Sequence, residues 1–190
     1  MLEFVESGPI TQVSPLDRPE PEMREPETIR FQPSEWVPNH PRLPVLVYHR
    51  ALSSAENDVA AEFERRFAQT GWQGVWRNGV FSYQHYHIGA HEVLGIATGN
   101  ARLLIGGSEG AVLEVGAGDC LVLPAGTGHM NLGASDGFLV VGGYPPGQTA
   151  DIQTEAASRS ALQTIADLPL PPTDPLYGAN GPLIRLWQNA

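Results

Sequence analysis

From Gly71 to Tyr144 the chain breaks into short apolar and β-branched runs, each closed by a glycine or an Asn/Asp-Gly pair, and this rhythm constrains its fold more than any other feature. Strands are expected near Gly74–Arg77, Ser82–His87, Glu92–Ala97, Ala101–Ile105, Ala111–Val115, Cys120–Leu123, Gly128–Leu132 and Phe138–Tyr144. Turns fall at Asn78-Gly79, Gly99-Asn100, Gly106 to Gly110, Gly116 to Gly118 and Ser135-Asp136-Gly137. Eight short antiparallel strands at such spacing fit two Greek keys closed into a jelly roll. With 21 glycines, 17 prolines and only 17% charged residues, the composition agrees with an all-β body rather than a helical bundle.

The flanks read differently. Residues 1–42 form an extended arm in which prolines alternate with acidic residues such as Asp17, Glu20, Glu22, Glu25 and Glu27; that density of proline fixes φ and removes amide donors. A single barrel domain then runs over residues 43–187, opening with a strand at Leu43–Tyr48. Val59, Phe63 and Phe67 recur every fourth position between Asn57 and Gln69, with Asn57 available as a cap and Gly71 just past the end, so one amphipathic helix is expected at 57–69 as a buttress. A second short helix is expected around Glu155–Ala166, and the proline-rich tail from Leu168 to Trp187 is expected to wrap back over the barrel. Trp72 and Trp76 are expected to pack the barrel against the first helix.

A formal net charge of −10 opposes association with phosphate backbones and anionic lipid, so neither nucleic acid nor a membrane is expected as a partner. The first nine residues carry Glu3 and Glu6 and lack the basic start and apolar run of a secretory signal, and no apolar stretch is long enough to span a bilayer; a cytoplasmic location is the expectation. The lone Cys120 forms no internal disulfide and reads as a small apolar residue within a strand.

The chemistry concentrates in two segments. Side chains alternate along a strand, so His85 and His87 point to one side and present two imidazoles to one ion. Gly89 allows the chain to reverse. In the following strand Glu92, Leu94 and Ile96 share one face, and the larger apolar pair marks it as the interior, which carries Glu92 inward with the imidazoles. His91 lies on the opposite parity and is an alternative ligand to Glu92. In the second segment Pro124 ends a strand, and Gly126 with Gly128 permit a turn that aims His129 at the same place. Three imidazoles and a carboxylate converging in an apolar barrel are costly without a cation, so His85, His87, Glu92 and His129 are the candidate metal ligands. Three nitrogens and one oxygen suit Fe²⁺, Mn²⁺, Ni²⁺ or Zn²⁺ better than Ca²⁺ or Mg²⁺. Tyr83 has the parity of His85 and His87 and is read either as a pocket acid or as core filling; His40 and His49 read as surface or arm-packing residues.

These residues resemble the cupin motifs. Glycine, five residues, His-x-His, four residues, glutamate, six residues and glycine are matched at Gly79, His85, His87, Glu92 and Gly99; Gly118, Pro124, Gly126 and His129 match the second motif, which departs where Gly133 replaces an expected asparagine and Asn131 is offered instead. The phrases Pro38 to Pro41, Pro44 to Tyr48, His91 to Gly95 and Thr173-Asp174-Pro175 to Pro182-Leu183 are similar to the single-domain bacterial cupins of the YjlB-like group, over residues 31–187. The resemblance implies a double-stranded β-helix barrel and one divalent metal, and no particular substrate. By analogy with other cupins it implies dioxygenase chemistry ahead of isomerase or decarboxylase chemistry on a small metabolite, or metal-dependent binding without turnover. It also implies a homodimer, with Leu43–Tyr48 as the unprotected edge strand through which two copies pair.

Overall fold

The computed structural model describes residues 23–55 and 57–190. The first half of the proline-rich arm, residues 1–22, lies outside the described residues. Nine strands and three helices follow in the order β1 (Glu27–Ile29), β2 (Val45–Tyr48), α1 (Val59–Gln69), β3 (Gln73–Asn78), β4 (Glu92–Thr98), β5 (Asn100–Ile105), β6 (Ala111–Gly116), β7 (Cys120–Leu123), β8 (His129–Ala134), β9 (Leu139–Tyr144), α2 (Arg159–Asp167) and α3 (Pro182–Gln188). The strands pair antiparallel into a six-stranded sheet, β1-β2-β7-β4-β9-β3, and a three-stranded sheet, β6-β5-β8, which face each other as a jelly-roll barrel.

The centre of the large sheet is buried on both faces, which is why β2, β4 and β7 read as nearly continuous apolar runs. Val45, Val47, Leu94, Ile96, Leu121, Leu123 and Val140 point between the sheets against Leu103 and Ile105 of β5. Their alternate neighbours Leu46, Tyr48, Val93, Ala97, Cys120, Val122 and Val141 point outward, under a layer built from Phe63 and Phe67 of α1, Trp72, Leu183 and Trp187. The period-2 alternation of a strand sorts the two sets. Helix α1 is the expected buttress; its N-cap is Asp58, whose Oδ1 accepts from Ala61 N–H at 2.9 Å, one residue later than the Asn57 cap expected from sequence.

Three expectations need correction. Leu43–Tyr48 offers no free edge, because β2 is flanked by β1 on one side and β7 on the other; the arm supplies β1 and so becomes part of the sheet. Ser82–His87 is not a regular strand: only His85 and Tyr86 make bridges, to His129 and Gln153. The tail lies over the outer layer, where its terminal helix α3 packs Leu183 and Trp187, and needs no correction. Trp76 faces the barrel interior instead of α1. Between Gln73 and Trp76 the pairing with β9 slips by a residue, at Gly74 with φ +61°, so Trp72 and Trp76 fall on opposite faces although four residues apart.

The inward indole of Trp76 fits only because β9 has a glycine beneath it: a Cβ on Gly142 would lie 2.0 Å from Trp76 Cζ2. Gly142→Ala should therefore overpack the barrel, at a cost of about 1–3 kcal/mol. A thermal melt should show Tm lowered by about 2–12 °C; an unchanged Tm would mean that the indole is free to move.

Candidate metal centre

Strand parity and one cross-strand pair assemble the site. Glu92 begins β4 on the face of Leu94 and Ile96, and so enters the barrel. His85 and His129 exchange backbone hydrogen bonds (His129 N–H to His85 O at 2.9 Å, the reverse at 3.2 Å), which sets their rings side by side with centroids 4.0 Å apart. His87 is 5.5 Å from each of these rings. Its loop is fixed by Asp151, whose Oδ1 accepts from Ile88 N–H at 2.9 Å and Gly89 N–H at 2.8 Å. One nitrogen from each imidazole lies within 4.8 Å of the others, and all three rings are buried.

The tautomers follow from the backbone. Nδ1 of His85 faces the carbonyl of Tyr83 at 3.2 Å, Nδ1 of His129 that of Thr127 at 3.1 Å, and Nδ1 of His87 that of Asp151. A carbonyl only accepts, so each Nδ1 carries a hydrogen, and whenever the ring is neutral its Nε2 keeps the lone pair. Glu92 Oε2 adds a fourth acceptor, 3.3 Å from His87 Nε2 and 3.2 Å from His129 Nε2. His87 Nε2 and Glu92 Oε2 are buried without a hydrogen bond. So dense a set of acceptors calls for a cation, a proton or a metal ion, and its three nitrogens and one oxygen suit a first-row divalent ion. Burial and the neighbouring His129 press His85 down to about 3, keeping it neutral. Burial also opposes charge on His87, yet the Glu92 carboxylate prevails and lifts it to about 8. Burial alone would raise Glu92; the charge on His87 and the donors of both imidazoles hold it well below the usual carboxylate range instead.

The cluster opens into a cavity of about 230 Å³ walled by Trp76, Val80, Phe81, Leu94 and Ile152. Tyr144 lies on the same wall, and its hydroxyl accepts from Trp76 Nε1–H at 3.0 Å. Burial and Glu92 push this phenol up to about 12. Sequence reasoning missed Tyr144, although its parity with Val140 and Gly142 was a sufficient signal. Tyr83, expected to share the inward face, is 44% exposed at the rim and stacks on Phe81 with centroids 4.9 Å apart; the irregular backbone at 82–84 breaks the parity on which that expectation rested. His91 is turned away from the cluster: its Nδ1 accepts from Ala125 N–H at 3.0 Å and its ring packs 4.9 Å from Trp187, in the outer layer. His40 is buried near it, with Nδ1 accepting from the Arg42 and Leu43 amides, while His49 is exposed and paired with Glu27. A larger, shallow groove beside α2, lined by Ser160, Thr164 and Asp167, is remote from these ligating groups. No helix among the described residues is long and apolar enough to cross a membrane.

No family model matches the chain. Over 166 residues it is 37% identical to the uncharacterized protein YjlB of Bacillus subtilis (strain 168), a match that covers 86% of this chain and 98% of that one. Matches among solved structures are more distant. They include acireductone dioxygenase from Bacillus anthracis with a cadmium ion in its active centre (19% identity, 58% of this chain and 79% of that chain, TM-score 0.35). Another is Bacillus subtilis oxalate decarboxylase, a protein with Mn(II) centres, of which this chain spans only 34% (16% identity, 82% of this chain, TM-score 0.26). Matched along nearly the whole of YjlB, and carrying both histidine motifs on the inner wall of a jelly-roll barrel, the chain belongs to the YjlB-like family of cupins.

Proposed function

We propose that His85, His87, Glu92 and His129 hold one divalent transition metal, iron, manganese, nickel or zinc, and that the barrel is a metalloenzyme acting on a small metabolite, with dioxygenase-type chemistry ahead of isomerase or decarboxylase chemistry. One observation carries the reading: three imidazole Nε2 atoms and a carboxylate oxygen meet in a buried pocket, each imidazole oriented by a backbone carbonyl, with His87 Nε2 and Glu92 Oε2 buried and without a hydrogen bond. When bound, such an ion supplies Lewis acidity and, if iron, a route to dioxygen chemistry. The residues around it limit water access through the apolar wall, and the Tyr144 hydroxyl offers one hydrogen-bond donor at the cavity edge.

The alternative, metal-dependent binding without turnover, has an observation in its favour: beyond the four proposed ligands, Tyr144 is the one titratable group among the described residues that line the cavity. An enzyme that must move protons usually has more. Elemental analysis of protein purified anaerobically, without chelator or affinity metal, tests the common ground. About one equivalent of a first-row metal is expected, lost in both His85→Ala and His129→Ala; absence of metal from all three, even after reconstitution, would overturn the reading. Oxygen uptake or product formation with the loaded protein, abolished by His87→Ala, separates enzyme from binding module.

A further inference from the structure

The cavity's walls and charges restrict what it can admit. The chain contains no lysine; its eleven cationic side chains are all arginines, and among the described residues none lines the cavity. The nearest in sequence to the lining, Arg77, points out of the barrel and is held by Glu64 at 2.6 and 2.8 Å. A divalent ion beside ionised Glu92 and three neutral imidazoles leaves one net positive charge for the ligand to meet. Beyond the metal cluster the polar groups are few. Asn78 already turns its Oδ1 onto Gly79 N–H, and Tyr144 supplies one hydroxyl.

The remaining surface is apolar and continues outward. Phe81 is 41% and Ile152 52% exposed at the opening, and Tyr83 is stacked on Phe81 beside them. Large apolar side chains left exposed round the mouth of a cavity mark a ligand-contacting rim. At about 230 Å³ the space lies below the roughly 300–1,000 Å³ of drug-sized pockets, so the occupant is metabolite-sized.

We infer that the cavity takes a small ligand with one oxygen-bearing head, neutral or singly negative, and an apolar body, to the exclusion of dicarboxylates, phosphate esters and polyols. The inference rests on the metal reading for the head and on Val80, Phe81, Leu94 and Ile152 for the body. A second negative charge would enter an apolar pocket where no described residue offers a cation to meet it, and each hydroxyl of a polyol would lose water without gaining a partner.

Two 2-oxo acids with the same metal-binding head and different bodies isolate the effect: 4-methyl-2-oxopentanoate, which ends in an isopropyl group, and 2-oxoglutarate, which ends in a carboxylate. Each is titrated into full-length protein loaded with Co²⁺, whose visible absorption reports ligand entry, after elemental analysis has established the cobalt content. The branched monoacid should bind at least about tenfold more tightly. Ile152→Arg, a change at an exposed position, should close or reverse that ratio by supplying the missing cation. Equal or tighter binding of 2-oxoglutarate to the wild type, or no spectral response to either acid at millimolar concentration, would overturn the ligand class while leaving the metal reading intact. Failure to retain cobalt would overturn the metal reading, and the ligand class with it.

Discussion

Asp174→Ala should destabilise the protein by about 3–5 kcal/mol. For a chain of this length that is a fall in Tm of about 6–20 °C, read by calorimetry or circular dichroism. Asp174 is wholly buried and accepts four hydrogen bonds. Its Oδ1 takes the amides of Leu176 at 2.8 Å and Tyr177 at 3.1 Å, and its Oδ2 takes the Leu183 amide at 3.1 Å and the Tyr48 hydroxyl at 2.5 Å. The first two shape the turn before α3, the third satisfies an orphan amide in the first turn of α3, and the fourth ties that assembly to β2. Truncation leaves three amides and a phenol buried without acceptors. Asp174→Asn should be nearly as harmful, since an amide nitrogen placed at Oδ2 would face two donors; placed at Oδ1, it would face two others. A variant with Tm within about 2 °C of wild type would show that water replaces the carboxylate at this junction.

Why this hub escaped a reading of the sequence, when the convergence of the histidines with Glu92 did not, is a matter of periodicity. Glu92 could be assigned to the interior because Leu94 and Ile96 follow it at the strand period, and the structure places all three on one face. The spacing of the other three candidate ligands likewise rests on local geometry, a two-residue step for His85 and His87 and a glycine-rich turn before His129. Where one extra residue enters, the method fails: the bulge at Gly74 reverses Trp76, and the irregular stretch at 82–84 throws Tyr83 outward. Both errors concern the cavity wall or its surroundings, so ligand preference was hidden while the convergence of the three histidines and Glu92 was legible. Elements too short to show a period were missed as well. Three residues of β1 are recognisable only by their partner β2. Helix α3 left a signal in Gly181-Pro182, proline at the first helical position after a glycine, that periodicity over seven residues is too short to support.

Metal uptake should weaken steeply with falling pH, and Glu92 should control where. In the metal-free protein His87 is lifted to about 8 by the adjacent carboxylate, against the effect of burial, so at neutral pH its Nε2 carries a proton that a metal must displace. The sign follows directly. Above about 8 the imidazole is free to ligate and affinity is independent of this proton; below it, each unit of pH should cost about tenfold in apparent affinity for Zn²⁺ or Co²⁺, with one proton released per ion bound. Glu92 itself adds no slope near neutrality, because its carboxyl is held well below the usual range and stays ionised. Glu92→Gln removes the charge that sustains the proton on His87. Burial, the largest influence on the ring, is then opposed only by Asp151 and favours the neutral form, so the onset of pH dependence should move to lower pH even as the loss of an anionic ligand lowers the affinity plateau. Competition titrations against a chelator of known affinity, between pH 6 and 9, measure both quantities. Two variables moving in opposite senses distinguish Glu92 as a ligand that also holds the competing proton from Glu92 as a mere structural acid. If the affinity of the wild type were flat across neutrality, or if Glu92→Gln lowered the plateau with no shift in onset, the coupling between Glu92 and His87 would be refuted.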